Sequence, residues 1–236
     1  MHKAVLVFPV LPGQDAKRPA RMLEERPREY RESREAVGIT LERVYEMKTP
    51  NGDFAIAYLE TERDSGETIG RLAQSDRPVD REFIRLIKEI HGFDPAQPPQ
   101  GEPPELLADW VADDRGSDRK RGLAFCAPVM PGATDYGRTF AKDSYGRKEF
   151  AESRRSIGGQ QETVMLNHTP MGDVICVYVE GADPVGSNRQ FAESRTPFDT
   201  WFKDECKKIF PPEVDFNEPL PPIKEIFDSQ RLLVAR

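Results

Sequence analysis

The feature that most constrains this chain is an internal repeat, in which the same residues recur 119 to 120 positions apart. Five blocks match in one order, with slips of a single residue. The matched blocks are 9–13 with 128–132, 30–34 with 150–154, 49–53 with 169–173, 58–60 with 178–180, and 75–83 with 194–202. This pattern predicts one α+β unit of about 100 residues written twice.

The first part of each half predicts a strand followed by a helix. Residues 4–10 and 123–129 are short apolar runs that end at a Pro-Gly turn, as buried strands do. The charged segment that follows has apolar residues at helical spacing, such as Tyr30 with Val37. Pro27 and Gly146 fall at nearly the same place in the two segments, and we expect a kink or a break of the helix there.

The second part of each half predicts a hairpin and a second helix. Residues 39–48 and 54–60 flank a loop that contains Pro50 and Gly52, as in a β-hairpin. Ser75 and Pro78 then indicate a helix start, and an amphipathic stripe follows. Gly92 closes that helix.

The order strand, helix, two strands, helix is that of a ferredoxin-like βαββα(β) unit. We predict a first repeat at 1–93, a Pro/Gly-rich arm and linker at 94–119, a second repeat at 120–210 and a C-terminal arm at 211–236. The arms are compatible with extended segments, short helices or edge strands. Because such a sheet is covered by helices on one face only, two copies can pack sheet to sheet.

Both halves resemble the dimeric α+β barrel superfamily, which includes antibiotic-synthesis monooxygenases, muconolactone isomerase and the haem-handling chlorite dismutase group. The shared cues are the Pro-Gly turn before the first helix, the entry to the second strand at Gly38 or Gly158, and the Ser…Pro-x-Asp entry to the last helix. The resemblance implies an intramolecular barrel of this type and specifies a fold rather than an activity.

Composition narrows the class of partner. The chain has 34 basic and 41 acidic residues, interspersed along its length, so no basic stripe suggests a nucleic acid. No apolar run reaches the length of about 20 residues that a membrane span needs. The apolar start is too short for a signal peptide, and three cysteines without a CxxC spacing do not form a disulfide framework. We expect a cytoplasmic monomer or homodimer.

The cysteines and histidines supply few candidates for chemistry. Each cysteine aligns with an aliphatic residue of the other half, which favours three small core residues. We predict no metal site and no cofactor. The resemblance leaves haem open, and His168, beside the hairpin turn, is the histidine to test both for haem and as a catalytic base.

Arginine on an apolar helix stripe is the polar feature that packing explains least. Arg34 lies between Tyr30 and Val37 at helical spacing, and Arg154 holds the same place in the second half. A buried arginine needs an anion. We predict the pairs Arg34–Glu60 and Arg154–Glu180, which are either structural salt bridges or a substrate-carboxylate site.

Side chains alternate between the two faces along the third strand of each half, and this alternation decides on which face its tyrosine lies. Tyr58 and Glu60 share one face, opposite Ala57 and Leu59, and Tyr178 repeats the arrangement. The tyrosine face meets either the helices or the barrel interior, and we favour the interior because phenols tolerate a wet cavity. Tyr58 and Tyr178 join His168 as catalytic candidates.

Three functions follow from these patterns. The first is a small-molecule-binding protein with a cavity between the two repeats. The second is a cofactor-free monooxygenase or isomerase that acts on an aromatic or lactone substrate, as the resemblance implies. The third is a structural or partner-binding domain with a filled barrel.

Overall fold

A computed structural model of the chain describes residues 1–97 and 102–234. Their elements, in chain order, are β1 (His2–Val10), α1 (Arg18–Glu24), α2 (Pro27–Val37), β2 (Ile39–Thr49), β3 (Gly52–Thr61), α3 (Ser65–Ala73), α4 (Pro78–His91), β4 (Glu105–Val111), β5 (Arg121–Pro128), α5 (Thr134–Tyr145), α6 (Lys148–Ser156), β6 (Gly159–Thr169), β7 (Gly172–Gly181), α7 (Pro184–Glu193), α8 (Pro197–Cys206), β8 (Ile223–Asp228) and α9 (Ser229–Val234).

The chain divides into two compact units, each built on a four-stranded antiparallel sheet. Unit 1 comprises Met1–Pro103 with Ile223–Arg236, and unit 2 comprises Pro104–Pro222. The strand order is β1-β3-β2-β8 in unit 1 and, read in the corresponding direction, β5-β7-β6-β4 in unit 2. The fold class is therefore α+β, with the predicted ferredoxin-like order in each unit.

The segments predicted as arms supply the fourth strand of each sheet. β4, from the predicted linker, pairs with β6 of unit 2, and β8, from the predicted C-terminal arm, pairs with β2 of unit 1. Each arm thus covers a strand edge that would otherwise expose unpaired backbone groups. The boundaries predicted at 93, 119 and 210 do not coincide with the two units, because the chain exchanges these strands.

The helices break where the sequence predicted. Pro27 starts α2 after the end of α1, and Gly146 follows the last residue of α5. Two further helices, α3 and α7, were not anticipated. Each is short and begins after an aspartate, Asp64 or Asp183, whose side chain accepts hydrogen bonds from backbone N–H groups of the first turn.

In unit 1 the helices cover one face of the sheet. Leu6 and Leu59 pack with Ile69 of α3, and Val44 packs on the cluster formed by α1, α2 and α4. Tyr58 stands on the other face, beside its register neighbours Val5 and Arg43. Of the two arrangements considered for the tyrosine face, the one opposite the helices is observed.

None of the helices in the described residues is long and apolar enough to cross a lipid bilayer.

Candidate functional site

Each unit contains a cavity between its sheet and its own helices. The cavity of unit 2 measures about 120 Å³ and that of unit 1 about 110 Å³. Both therefore lie in a different place from the predicted cavity between the repeats. Small side chains on the helix-facing side of the strands leave this space beneath the helices. They include Ala55 and Ala57 in unit 1 and Val164 and Val177 in unit 2.

The cavity of unit 2 is lined mainly by aromatic and aliphatic side chains. Its lining includes Trp110, Phe125, Phe140, Val164, Phe191 and Phe216. A few polar residues, among them Arg154, Glu162 and Asn188, also line it. A cavity of about 150 Å³ lined by apolar residues accommodates benzene, so this space is of the size of a single aromatic ring.

A buried ion pair forms part of the wall of this cavity. Nε of Arg154, on α6, donates to Oε2 of Glu162, on β6, at 2.7 Å, and Nη2 is 3.4 Å from Oε1. Both residues are buried, with 5% and 8% of their surface exposed. Burial opposes the charge of Arg154, but the acidic groups around it, Glu162 first among them, together raise the pKa of the guanidinium.

Tyr145, at the end of α5, adds a hydroxyl to the ion pair by donating a hydrogen bond to Oε1 of Glu162. Burial and the negative charge of Glu162 raise the pKa of Tyr145 well above its usual value, so the phenol stays protonated. The guanidinium of Arg154 lies 4.4 Å from the ring centroid of Phe150 and 4.6 Å from that of Phe191. Aromatic faces therefore stabilise the cation in place of water.

Asp199, on α8, holds the arginine from the other side. Its Oδ1 is 4.0 Å from Nη1 of Arg154 and accepts a hydrogen bond from Ser153 at 2.5 Å. Ser194 and Thr196 donate to Oδ2. Burial alone would raise the pKa of Asp199, but these hydroxyl donors lower it. The cluster thus ties α6 and α8 to strand β6.

Unit 1 contains a corresponding cluster at Arg34, Glu42 and Asp80. Nε of Arg34 donates to Oε2 of Glu42 at 2.8 Å, and Nη1 lies 3.5 Å from Oδ1 of Asp80. The tyrosine comes from a different position, since Tyr30, which aligns with Phe150, donates to Glu42 at 3.1 Å. Burial and the Glu42 charge raise the pKa of Tyr30. Two different tyrosines therefore serve the same glutamate position.

The predicted partners of the two arginines were wrong. Arg34 pairs with Glu42 rather than Glu60, and Arg154 pairs with Glu162 rather than Glu180. The physical reason is the parity of the sheet, because Glu60 stands on the face opposite the helices. β2 and β6, the strands that directly follow the helices of the two arginines, carry Glu42 and Glu162 on the side that faces the helices.

On β3 and on β7, the tyrosine and the glutamate two residues later form a hydrogen bond with each other. The Tyr58 hydroxyl donates to Glu60 at 2.6 Å, and the Tyr178 hydroxyl donates to Glu180 at 2.8 Å. Neither tyrosine lines the cavity of its unit. Arg119 also binds Glu180, with Nη2 at 2.6 Å from Oε2. Burial opposes ionisation of Glu180, but its hydrogen bonds and the Arg119 charge lower its pKa.

His168 lies near the end of the β6–β7 hairpin and lines neither cavity. Its Nδ1 is 2.8 Å from Oδ1 of Asp173, which also accepts a hydrogen bond from Thr134 through Oδ2. His91 does line the cavity of unit 1, but that space is of single-ring size and does not fit a porphyrin.

The three cysteines are buried and lie in the core, as expected. Cys126 and Cys176 are direct partners on the neighbouring strands β5 and β7. Burial raises the pKa of Cys126 to about 12 and that of Cys176 well above its usual value. Both therefore stay protonated, which makes them poor nucleophiles.

Among residues 1–97 and 102–234, no three histidine, cysteine or carboxylate side chains are grouped so as to hold a metal ion.

Sequence reasoning missed Glu42, Glu162, Tyr145 and His91. Glu42 and Glu162 were detectable in principle, because they stand 120 residues apart on the helix-facing side of strand two, where neighbouring residues such as Val44 are apolar. Tyr145 gave no such signal, since its counterpart in the first half is not a tyrosine.

Comparisons with known proteins support the fold. No protein-family model matches the chain, and no curated protein matches it. A solved structure named “Putative monooxygenase”, from Fusobacterium nucleatum subsp. nucleatum, aligns with a TM-score of 0.52 at 10% identity over 96% of this chain and 92% of that one. An anthrone oxidase-like protein aligns with a TM-score of 0.49 at 10% identity over 95% and 92%. The first likeness shows that the chain shares the overall fold of that protein, with two four-stranded antiparallel sheets and their helices.

Proposed function

We propose that this chain binds a small aromatic molecule in the cavity of unit 2. The observation that carries the proposal is the joining of an aromatic-lined cavity to a buried ionic cluster at Arg154, Glu162 and Tyr145. Apolar walls supply most of the binding free energy at such sites, and a few fixed polar groups orient the ligand. The ligand class is therefore an apolar ring that carries one polar substituent.

Binding at this site is tested with a thermal-shift panel of one-ring aromatic compounds. A ligand that binds only the folded protein raises the melting temperature. Val164→Phe fills part of the cavity of unit 2 with a phenyl ring, whereas Val44→Phe makes the same change at the corresponding position of unit 1. The proposal requires at least one compound whose stabilisation is lost in V164F and kept in V44F. A panel with no stabilising compound favours the structural-domain alternative.

A second candidate function is cofactor-free oxidation of the bound ring. Glu162 favours it, because a carboxylate that lines an apolar cavity can accept a proton from a bound substrate. The name of the Fusobacterium protein points to the same chemistry. In this reaction an activated CH₂ group loses a proton and its electrons reduce O₂, so that R₂CH₂ and O₂ yield R₂C=O and H₂O.

An oxygen electrode tests this activity without any added cofactor. One-ring compounds that carry an activated CH₂ group and stabilise the protein are the substrates. The oxidation proposal predicts one O₂ consumed per ketone formed, with uptake abolished in V164F and reduced in Glu162→Gln under conditions where circular dichroism shows both variants folded. Binding without O₂ uptake would leave the chain a binding protein alone.

A further inference from the structure

The cavity of unit 1 contains a histidine that the cluster around Arg34 does not use. His91 is the last residue of α4, is 6% exposed and lines the cavity. The rings of Phe8 and Phe93 stack with their centroids 5.1 Å apart, and their centroids lie 5.6 Å and 6.5 Å from that of the imidazole. An imidazole in a mainly apolar wall is a polar group positioned to meet a ligand.

The hydrogen bond that His91 makes determines which of its ring nitrogens can accept a hydrogen bond from a ligand. Nδ1 lies 2.8 Å from the carbonyl oxygen of Pro9. A carbonyl only accepts, so Nδ1 carries the hydrogen and Nε2 carries the lone pair of the neutral ring. Among the described residues, Nε2 has no hydrogen-bond partner. Burial lowers the pKa of His91, although the Pro9 carbonyl opposes this, and the ring is therefore neutral at pH 7.

The second unit provides an internal comparison. Phe210 corresponds to His91 at an offset of 119 residues and also lines its own cavity. The preceding residues make the same contact, since the carbonyl of Ile90 accepts from the N–H of Leu11 and that of Ile209 accepts from Met130, both at 2.8 Å. The fold therefore accommodates a purely apolar ring at this position, and the imidazole of unit 1 is not required by the local packing.

We propose that the cavity of unit 1 is a second small-molecule site, which takes a neutral apolar ring with a hydroxyl group that donates to Nε2 of His91. The cavity volume of about 110 Å³ limits the ligand to the size of a single ring. Glu42 also lines this cavity, and its negative charge disfavours carboxylates and other anions. A phenol meets all three conditions. This site does not depend on ligand binding in unit 2.

The test compares p-cresol with toluene, which differ by one hydroxyl group. The chain has only three histidines, so ¹H–¹⁵N correlation spectra of the imidazoles, assigned with His91→Phe, resolve the His91 signals. We expect p-cresol to shift the Nε2 signal saturably and to bind roughly threefold to tenfold more tightly than toluene, the ratio that one net hydrogen bond confers. V44F should abolish the shift, and V164F, in the other unit, should leave it.

Reciprocal variants isolate the role of the imidazole. H91F should remove the preference for p-cresol over toluene, and Phe210→His should create such a preference in unit 2. Equal affinities of the wild-type protein for the two compounds, a preference that survives in H91F, or no saturable shift of Nε2 would overturn the proposal. The wild-type comparison needs no variant, so a misfolded variant does not remove the test.

Discussion

Arg154 and Glu162 stand eight residues apart and form a buried salt bridge with Nε and Oε2 at 2.7 Å. Arg34 and Glu42 have the same separation and form the same bond at 2.8 Å. In both units the bond crosses from the end of a helix to the next strand, past Gly38 or Gly158, which turn the chain with φ of 83° and 79°. The pair therefore joins helix to sheet at the wall of the cavity in unit 2.

The first prediction concerns the stability that this ion pair provides. Glu162→Gln leaves the Arg154 cation buried without its carboxylate, which typically costs about 3–5 kcal/mol of unfolding free energy. Glu152→Gln is the matched control, because Glu152 pairs with Lys148 at an exposed position. We expect the control to change stability by less than about 0.5 kcal/mol. Urea unfolding measures both, and equal effects would contradict a buried pair.

The second prediction concerns the hydroxyl of Tyr145. Tyr145→Phe removes one hydrogen bond to Glu162, so we expect a loss of about 1 kcal/mol in unfolding free energy. In a double-mutant cycle with Glu162→Gln, the two effects should not add, because both changes remove the same contact. Tyr136→Phe, at an exposed position, is the control and should not couple to Glu162. Strictly additive effects of Y145F and E162Q would show that the contact is not formed.

The third prediction concerns pH. The pKa of His91 is lowered in the folded state, mainly by burial. As pH falls below about 6.5, the ordinary histidine value, the unfolded chain binds more protons than the folded one, so stability decreases. His91→Phe should flatten this decrease between pH 7 and pH 5. Urea unfolding across that range checks it, and parallel curves for the wild type and H91F would argue against the assigned protonation.

The fourth prediction concerns the thiols. All three cysteines are buried, and burial raises the pKa of each of them. A disulfide reagent such as Ellman's should find no rapidly reacting thiol in the folded protein and three in urea. Fast reaction of one thiol under native conditions would indicate a reactive cysteine instead of three core residues.

The strands, the hairpins and the helix breaks could be read from the sequence because local chemistry sets them. Pro27 lacks a backbone N–H and stands at the start of α2, and Gly146 follows the last residue of α5. The exchange of β4 and β8 could not be read, since the choice of sheet edge is made by tertiary pairing rather than by the strand itself. The residues of β4 and β8 are equally compatible with the edge of either sheet, so the sequence alone does not assign them.

The candidate site, like the fold, could be predicted from the sequence only in part. The repeat singled out Arg34 and Arg154 as buried cations, and they are buried. Their partners depended on which face of strand two meets the helices, and one residue of parity decides between opposite faces of a sheet. Tyr145 and His91 each occur in one half only, so the comparison of the halves passed over them.

The most direct test of the central claim uses Trp110, which lines the cavity of unit 2. The other tryptophan is Trp201, so Trp201→Phe leaves Trp110 as the single reporter. Nitrobenzene, a single-ring quencher, should then quench the fluorescence with a saturable component above the linear collisional one. That component should vanish when Val164→Phe is added and persist when Val44→Phe is added. Purely linear quenching, or saturation unchanged by V164F, would contradict a ligand site in this cavity.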